Sequence, residues 1–198
     1  MKKRLQEVHS FWFGQSEDDL EVIRQKGKLW FAKDEQVDQF IRETFSDLMQ
    51  LASREQISLK PLSPSLQLAV ILLLDQFSRN VYRNDPRSFV SDPVARKLVQ
   101  QLMPLAEALR PVEKVFLYLP LEHSENLDDQ RKSVALFLQL SESVDDRLKD
   151  AFVGFFDYAV RHHDIIVRFG RFPHRNKVLG RTSSAEELRF LLQPGSSF

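Results

Sequence analysis

Four stretches of this sequence carry side chains able to do chemistry. The first is Asp75-Gln76-Phe77-Ser78-Arg79-Asn80. Asp75 and Arg79 stand four apart, as do Gln76 and Asn80, so each pair shares a helix face. The second is Leu121-Glu122-His123-Ser124-Glu125, directly after Pro120. An imidazole flanked by two acids can serve as a base with its orienting carboxylate, or as a metal ligand set. Zinc motifs of the H-E-x-x-H kind need an uninterrupted helix. The proline breaks that geometry, so a turn with capping carboxylates is the plainer reading and no metal is expected. The third stretch, His162-His163-Asp164, falls on the buried stripe of a helical pattern. At least one imidazole should therefore lie near the core with a hydrogen-bond partner.

The fourth stretch runs from Phe169 to Arg181. Between Ile165 and Ala185 stand Arg168, Arg171, Arg175, Lys177 and Arg181, with His174 and no acid after Asp164. Gly170 and Gly180 allow positive φ, and Pro173 stiffens the chain between them. Arginine forks on a stiff loop suit a carboxylate or phosphate held by two hydrogen bonds. A packed loop whose arginines pair with Asp75, Glu122 or Glu125 would have the same sequence. His162, His123 and His174 are the candidates for proton transfer. Asp75, Arg79, Asn80, Arg171, His174, Arg175 and Asn176 are the candidates for ligand contact. No nucleophile elbow, phosphate loop or dinucleotide fingerprint is present, and no cofactor is expected.

These groups must be positioned by helices. Leu5, Val8 and Trp12 form a helical stripe before Gly14; Ser16 is placed to cap a second helix that Gly27 would stop. From Asp34 onward Val37, Phe40, Ile41, Thr44, Phe45, Leu48, Leu51 and Ala52 recur at spacings of three and four. Ser63-Pro64 opens a helix to about Tyr82 that is apolar on all sides, hence central. Asp92-Pro93 and Pro111 open two more, the latter ended or kinked at Pro120. Further helices are expected over about 128–140, along the stripe from Leu148 to Phe169, and after the capping box Ser184-Ala185-Glu186-Glu187. No stretch alternates with period two. The expectation is one all-α domain over 1–198, with about eight or nine helices.

The 198 residues carry 28 basic and 28 acidic side chains and no cysteine. Zero net charge makes nucleic acid an unlikely partner. The lack of cysteine removes disulfides and thiolate ligands and suits a cytoplasmic setting. The longest apolar run, Leu68 to Leu74, is far short of the roughly 20 residues a membrane span needs. The basic start Met1-Lys2-Lys3-Arg4 leads into no apolar segment, so no signal peptide is expected.

Several motifs occur in one order. They are Phe11-Trp12-Phe13-Gly14, Trp30-Phe31 with Lys33-Asp34, Leu72 to Phe77 with Arg79-Asn80, and Tyr118-Leu119-Pro120 with His123-Ser124-Glu125. Phe169 to Asn176, Leu179-Gly180-Arg181 and Pro194-Gly195-Ser196-Ser197-Phe198 complete the set. Over about residues 5–198 the sequence resembles the bacterial family known as domain of unknown function 924. The resemblance implies antiparallel helix pairs stacked in a tetratricopeptide-repeat-like array, and implies no reaction. Ser78 stands where the family pattern has proline and Ser184 where it has threonine. His162, rather than His163, matches the family histidine.

Three readings follow. A binding or scaffold protein would hold an acidic peptide or small anionic molecule in a groove lined by Arg79, Arg171 and Arg175, with an exposed Trp12 or Trp30 ring as anchor. An enzyme would act on a small anionic substrate, with a histidine as acid or base beside a carboxylate in a closed pocket. In the third reading the polar segments are an internal network that specifies helix order.

Overall fold

Apolar spacing and capping produce helices nearly throughout the chain. The computed structural model describes residues 1–196, so Ser197 and Phe198 of the final motif lie outside the described residues. The helices are α1 (Lys2–Phe13), α2 (Asp19–Phe31), α3 (Glu35–Ser53), α4 (Pro64–Val81), the single turn α5 (Arg87–Val90), α6 (Asp92–Leu102), α7 (Pro111–Glu122), α8 (Leu127–Ser143), α9 (Lys149–Phe169) and α10 (Ala185–Leu191). Among the described residues there is no strand, and no helix is long and apolar enough to cross a membrane.

Helix α4 occupies the centre, as its all-round apolarity predicts. Every residue from Leu68 to Ser78 is buried, and α1, α3, α5, α6 and α7 pack around it. One end of the core is aromatic. Trp12 meets Phe116 edge-on at 5.5 Å, Phe77 stacks obliquely on Trp12 at 5.4 Å, and the Trp30 Nε1–H donates to the Trp12 carbonyl at 3.0 Å. Each fully buried ring of this kind contributes about 1.5–3 kcal/mol. Both tryptophans are therefore core residues. Neither ring is available as the exposed anchor the groove reading required.

Several boundaries differ from the sequence expectation. Asp18, not Ser16, caps α2 by accepting from the Leu20 N–H, and α2 runs through Gly27 to Phe31. Phe40 lies on the exposed side of α3. Helix α8 extends beyond 128–140 at both ends. Ser91 precedes α6 as its cap, which leaves the Asp92 side chain free to reach Arg79. Proline at 120 neither ends nor precedes the end of α7 by a full turn: the helix continues to Glu122. Only proline's own N–H is lost, and so late in a helix few bonds depend on it.

Helices α8 and α9, joined by residues 144–148, pack along their length, and α9 also reaches α7. Gly170 ends α9 in the left-handed region (φ 67°), its N–H bonding the Ile166 carbonyl at 2.8 Å. The chain then turns back, and Phe172 buries completely beside Ile165 and Ile166. That anchor brings the basic loop against the ends of α4 and α7.

Candidate functional site

The C-terminal turns of α4 and α7 meet at a carboxylate and an imidazole 48 positions apart in sequence. Nδ1 of His123, the residue that closes α7, lies 2.9 and 3.0 Å from the two oxygens of Asp75. Asp75 also accepts from Gln76 Nε2 at 2.6 Å and has Arg79 Nη1 at 3.2 Å. Burial to 1 % exposure would push this carboxyl upward, but Arg79 and His123 outweigh it and hold Asp75 ionised. Burial lowers the His123 imidazole further than Asp75 raises it, so the ring is neutral at pH 7. A carboxylate only accepts, so the proton sits on Nδ1. Nε2 keeps its lone pair. This is the base-and-orienter arrangement of general base catalysis.

Arg79 is fully committed. Nη1 donates to the Asp75 carbonyl at 2.6 Å, and its two terminal nitrogens reach the two Asp92 oxygens at 3.2 Å each.

Beneath His123 lies a second acid and a second imidazole. Glu122 is 3 % exposed and so is His162; Glu122 Oε1 is 3.1 Å from His162 Nδ1, which is 2.8 Å from the Tyr158 carbonyl. The His123 and His162 ring centres are 6.1 Å apart. Burial, then the Asp75 charge, raises the Glu122 carboxyl well above the usual carboxylate range. Burial, then His123, lowers His162 to about 3.

The loop supplies the third component. Arg175 is 7 % exposed, with its guanidinium carbon 4.4 Å from the centre of the Phe172 ring and 4.7 Å from that of Phe89. Nη1 donates to the His123 carbonyl at 3.0 Å, and Nε has no partner. Among the described residues no carboxylate lies within ion-pair distance of it. Burial, then the neighbouring Arg79, lowers it to about 10, so it stays charged at pH 7. His174, whose ring centre is 5.7 Å from that of Phe172, is lowered to about 4 by burial and then by Arg175.

The structure thus gathers Asp75, Arg79, His123, His162, His174 and Arg175. Three of the sequence candidates sit elsewhere. Asn80 donates to Asp38 at 2.7 Å on another side of α4, in a hollow of about 410 Å³ also lined by Lys33, Arg42 and Arg83. Arg171 spends its fork on Glu187 at 2.6 and 2.8 Å. Asn176 is buried and donates to Ser183 at 3.0 Å. Arg168 pairs with Glu186 and Arg181 with Glu125, so acids from outside the basic run neutralise most of its charge. Asp92, Phe89 and Phe172 belong to the site and were not singled out for it. Glu122 reads in the sequence as an acid flanking His123, with a capping turn the plainer reading; instead it is buried in the last turn of α7. Asp92 and Phe89 carried no signal. Among the described residues no group of three or more histidines and acids is placed to hold a metal.

An all-α protein with a buried histidine–carboxylate cluster at the meeting of three helices is the class these observations define. The chain matches the family described as bacterial protein of unknown function (DUF924) over residues 8–195, and it belongs to that family. It is similar to a solved structure from Agrobacterium tumefaciens, titled as protein of unknown function ATU0120. The two share 29% identity and a TM-score of 0.79, over 94% of this chain and 96% of that one. No curated protein matches.

Proposed function

We propose that this cluster is an acid–base site for a small anionic molecule, with His123 as the base, Asp75 as its positioning residue and Arg175 as the cation that holds the anion. The observation that carries this reading is the Asp75–His123 contact at 2.9 Å, which leaves a neutral imidazole with its Nε2 lone pair. Arg175 supports it as a charged fork with no carboxylate of its own among the described residues, and a bound carboxylate or phosphate would supply the missing charge. Burial of these groups suits a small anion better than an acidic peptide, which needs an open groove. Arg171 takes no part, because Glu187 already occupies its fork.

A second reading is favoured by the two-pronged Arg79–Asp92 contact: the cluster is a clamp that fixes helix order. The two accounts differ in whether an added anion is felt. The ring nitrogens of His123 would be followed by NMR in ¹⁵N-histidine-labelled protein as acetate, malonate or inorganic phosphate is added. Saturable movement of the His123 signals, weakened in Arg175→Gln, is expected. Unmoved signals with all three probes would leave only the clamp.

A further inference from the structure

Glu122, the buried acid next to the base, has surroundings that fix its form. His162 Nδ1 lies 2.8 Å from a carbonyl oxygen, that of Tyr158. A carbonyl has no proton to give, so Nδ1 carries the hydrogen. Glu122 Oε1 lies 3.1 Å from that same nitrogen, beside the bond from Nδ1–H to the Tyr158 carbonyl. Oε2, the other oxygen, is buried and meets no donor.

The surroundings oppose a negative charge there. Among the described residues no arginine or lysine lies within ion-pair distance of Glu122. From α4 the group facing it is the ionised Asp75; from α9 it is the neutral His162; on its own helix it is the neutral His123. From α8 the Gln130 amide is spent on the carbonyls of Glu122 and Ser124 at 2.6 Å each. An ionised carboxylate here would have one oxygen unsolvated, beside another carboxylate, which is the costliest state a buried acid can take. Oε1 lies against the positive N–H edge of His162, so the proton belongs on Oε2.

We infer that Glu122 is the proton donor of this site, its Oε2 hydroxyl being the group that hydrogen-bonds to an oxygen of the bound anion and can protonate it. In such a transfer the Oε2–H bond breaks as a substrate O–H bond forms, and Glu122 is left as a carboxylate. His123 accepts a proton at Nε2 from the same molecule, so the number of protons held by protein and ligand together is unchanged. The ligand class is thereby narrowed to anions with an oxygen able to accept a proton, carboxylates and phosphate monoesters among them. A neutral acid bonded to such an oxygen makes a short, charge-assisted hydrogen bond. The assignment rests on the acid–base reading of the cluster, and the two have separate tests.

The full chain labelled with ¹³C at glutamate carboxyls, titrated with pH by NMR, tests it. The signal lost in Glu122→Gln is expected at the position of a neutral acid at neutral pH and above. It should titrate lower in Asp75→Asn, where the neighbouring charge is gone. Added acetate is expected to shift it together with His123. A Glu122 signal at the ionised position at neutral pH would overturn the assignment. So would a His123 response to acetate with Glu122 unmoved, which would leave the base and the anion intact. Silence from both residues with acetate, malonate and inorganic phosphate alike would overturn the acid–base reading itself. Should Glu122→Gln fail to fold, assignment through Asp75→Asn alone still separates these outcomes, since only the neighbour of Asp75 moves.

Discussion

Two histidine–carboxylate pairs stand at opposite ends of α7, and their surroundings differ. His9 Nε2 meets Glu113 Oε1 at 2.6 Å near the aromatic end. The other Glu113 oxygen accepts from the Arg110 N–H at 2.8 Å, within the cap of α7, and the His9 ring packs 4.9 Å from that of Phe13. Both oxygens have partners and the pair joins α1 to the start of α7. At the far end of the same helix His123 meets Asp75 of α4, and among the described residues Glu122 there has an oxygen with no hydrogen-bond partner and Arg175 no carboxylate within ion-pair distance. A histidine close to an acid is therefore not a site in itself. Trp12 Nε1 and Asp19 Oδ1 lack hydrogen-bond partners near the first pair too, so what distinguishes the second is, among the described residues, a cation without a carboxylate beside an acid without a cation.

The largest effect that could break this contrast is on stability. Asp75→Ala removes a buried carboxylate from Arg79 and His123 and should cost about 3–5 kcal/mol in urea denaturation. Glu113→Ala, which removes a cap and one hydrogen bond, should cost about 1–3 kcal/mol. Equal losses would mean the two pairs are structural alike.

A smaller effect appears in the pH dependence of stability. His162 is depressed to about 3 from an ordinary 6.5, so the unfolded chain binds a proton that the folded one refuses. Its contribution is present above pH 6.5 and is lost as pH falls toward 3, by up to about 1.4 kcal/mol per unit. Glu122, raised above 4.5, acts in the opposite sense and costs stability as pH rises past that value. Thermal melts of His162→Gln should show a shallower acid decline, and those of Glu122→Gln a shallower alkaline one. His9→Gln should leave the anion response of His123 untouched.

The smallest effect on the site is expected from Arg171→Ala. Its partner Glu187, 3 % exposed, keeps the Ser184 N–H at 2.7 Å but loses the fork that holds it ionised, so the melting temperature should fall while the anion response of His123 stays. A loss of anion response in this variant would return Arg171 to the site.

The helices were legible because apolar spacing reports burial directly. Pro64, Pro111 and the capping box at Ser184 mark their starts in the structure as in the sequence. Gly27 misled because an intermediate environment tolerates glycine inside a helix, and nothing near it requires or forbids a side chain. The site was legible in parts. Asp75 stood out at the end of an apolar helix, His162 on a buried stripe, His123 between two acids and Arg175 in a basic run, but their pairing depends on which helix ends meet. The Arg171–Glu187 and Arg181–Glu125 pairs could not be read from a basic run that contains no acid, because their carboxylates come from other segments. Charge counted along a sequence is not charge at a surface.

Arg175 donates to the main-chain oxygen of His123, so the side chain that would greet an incoming anion also latches the last turn of α7. A ligand that pulled the guanidinium toward itself would loosen the peptide on which the base is mounted. Amide exchange around residues 121–124 would then quicken with occupancy, and the protein would signal a full site through its own backbone.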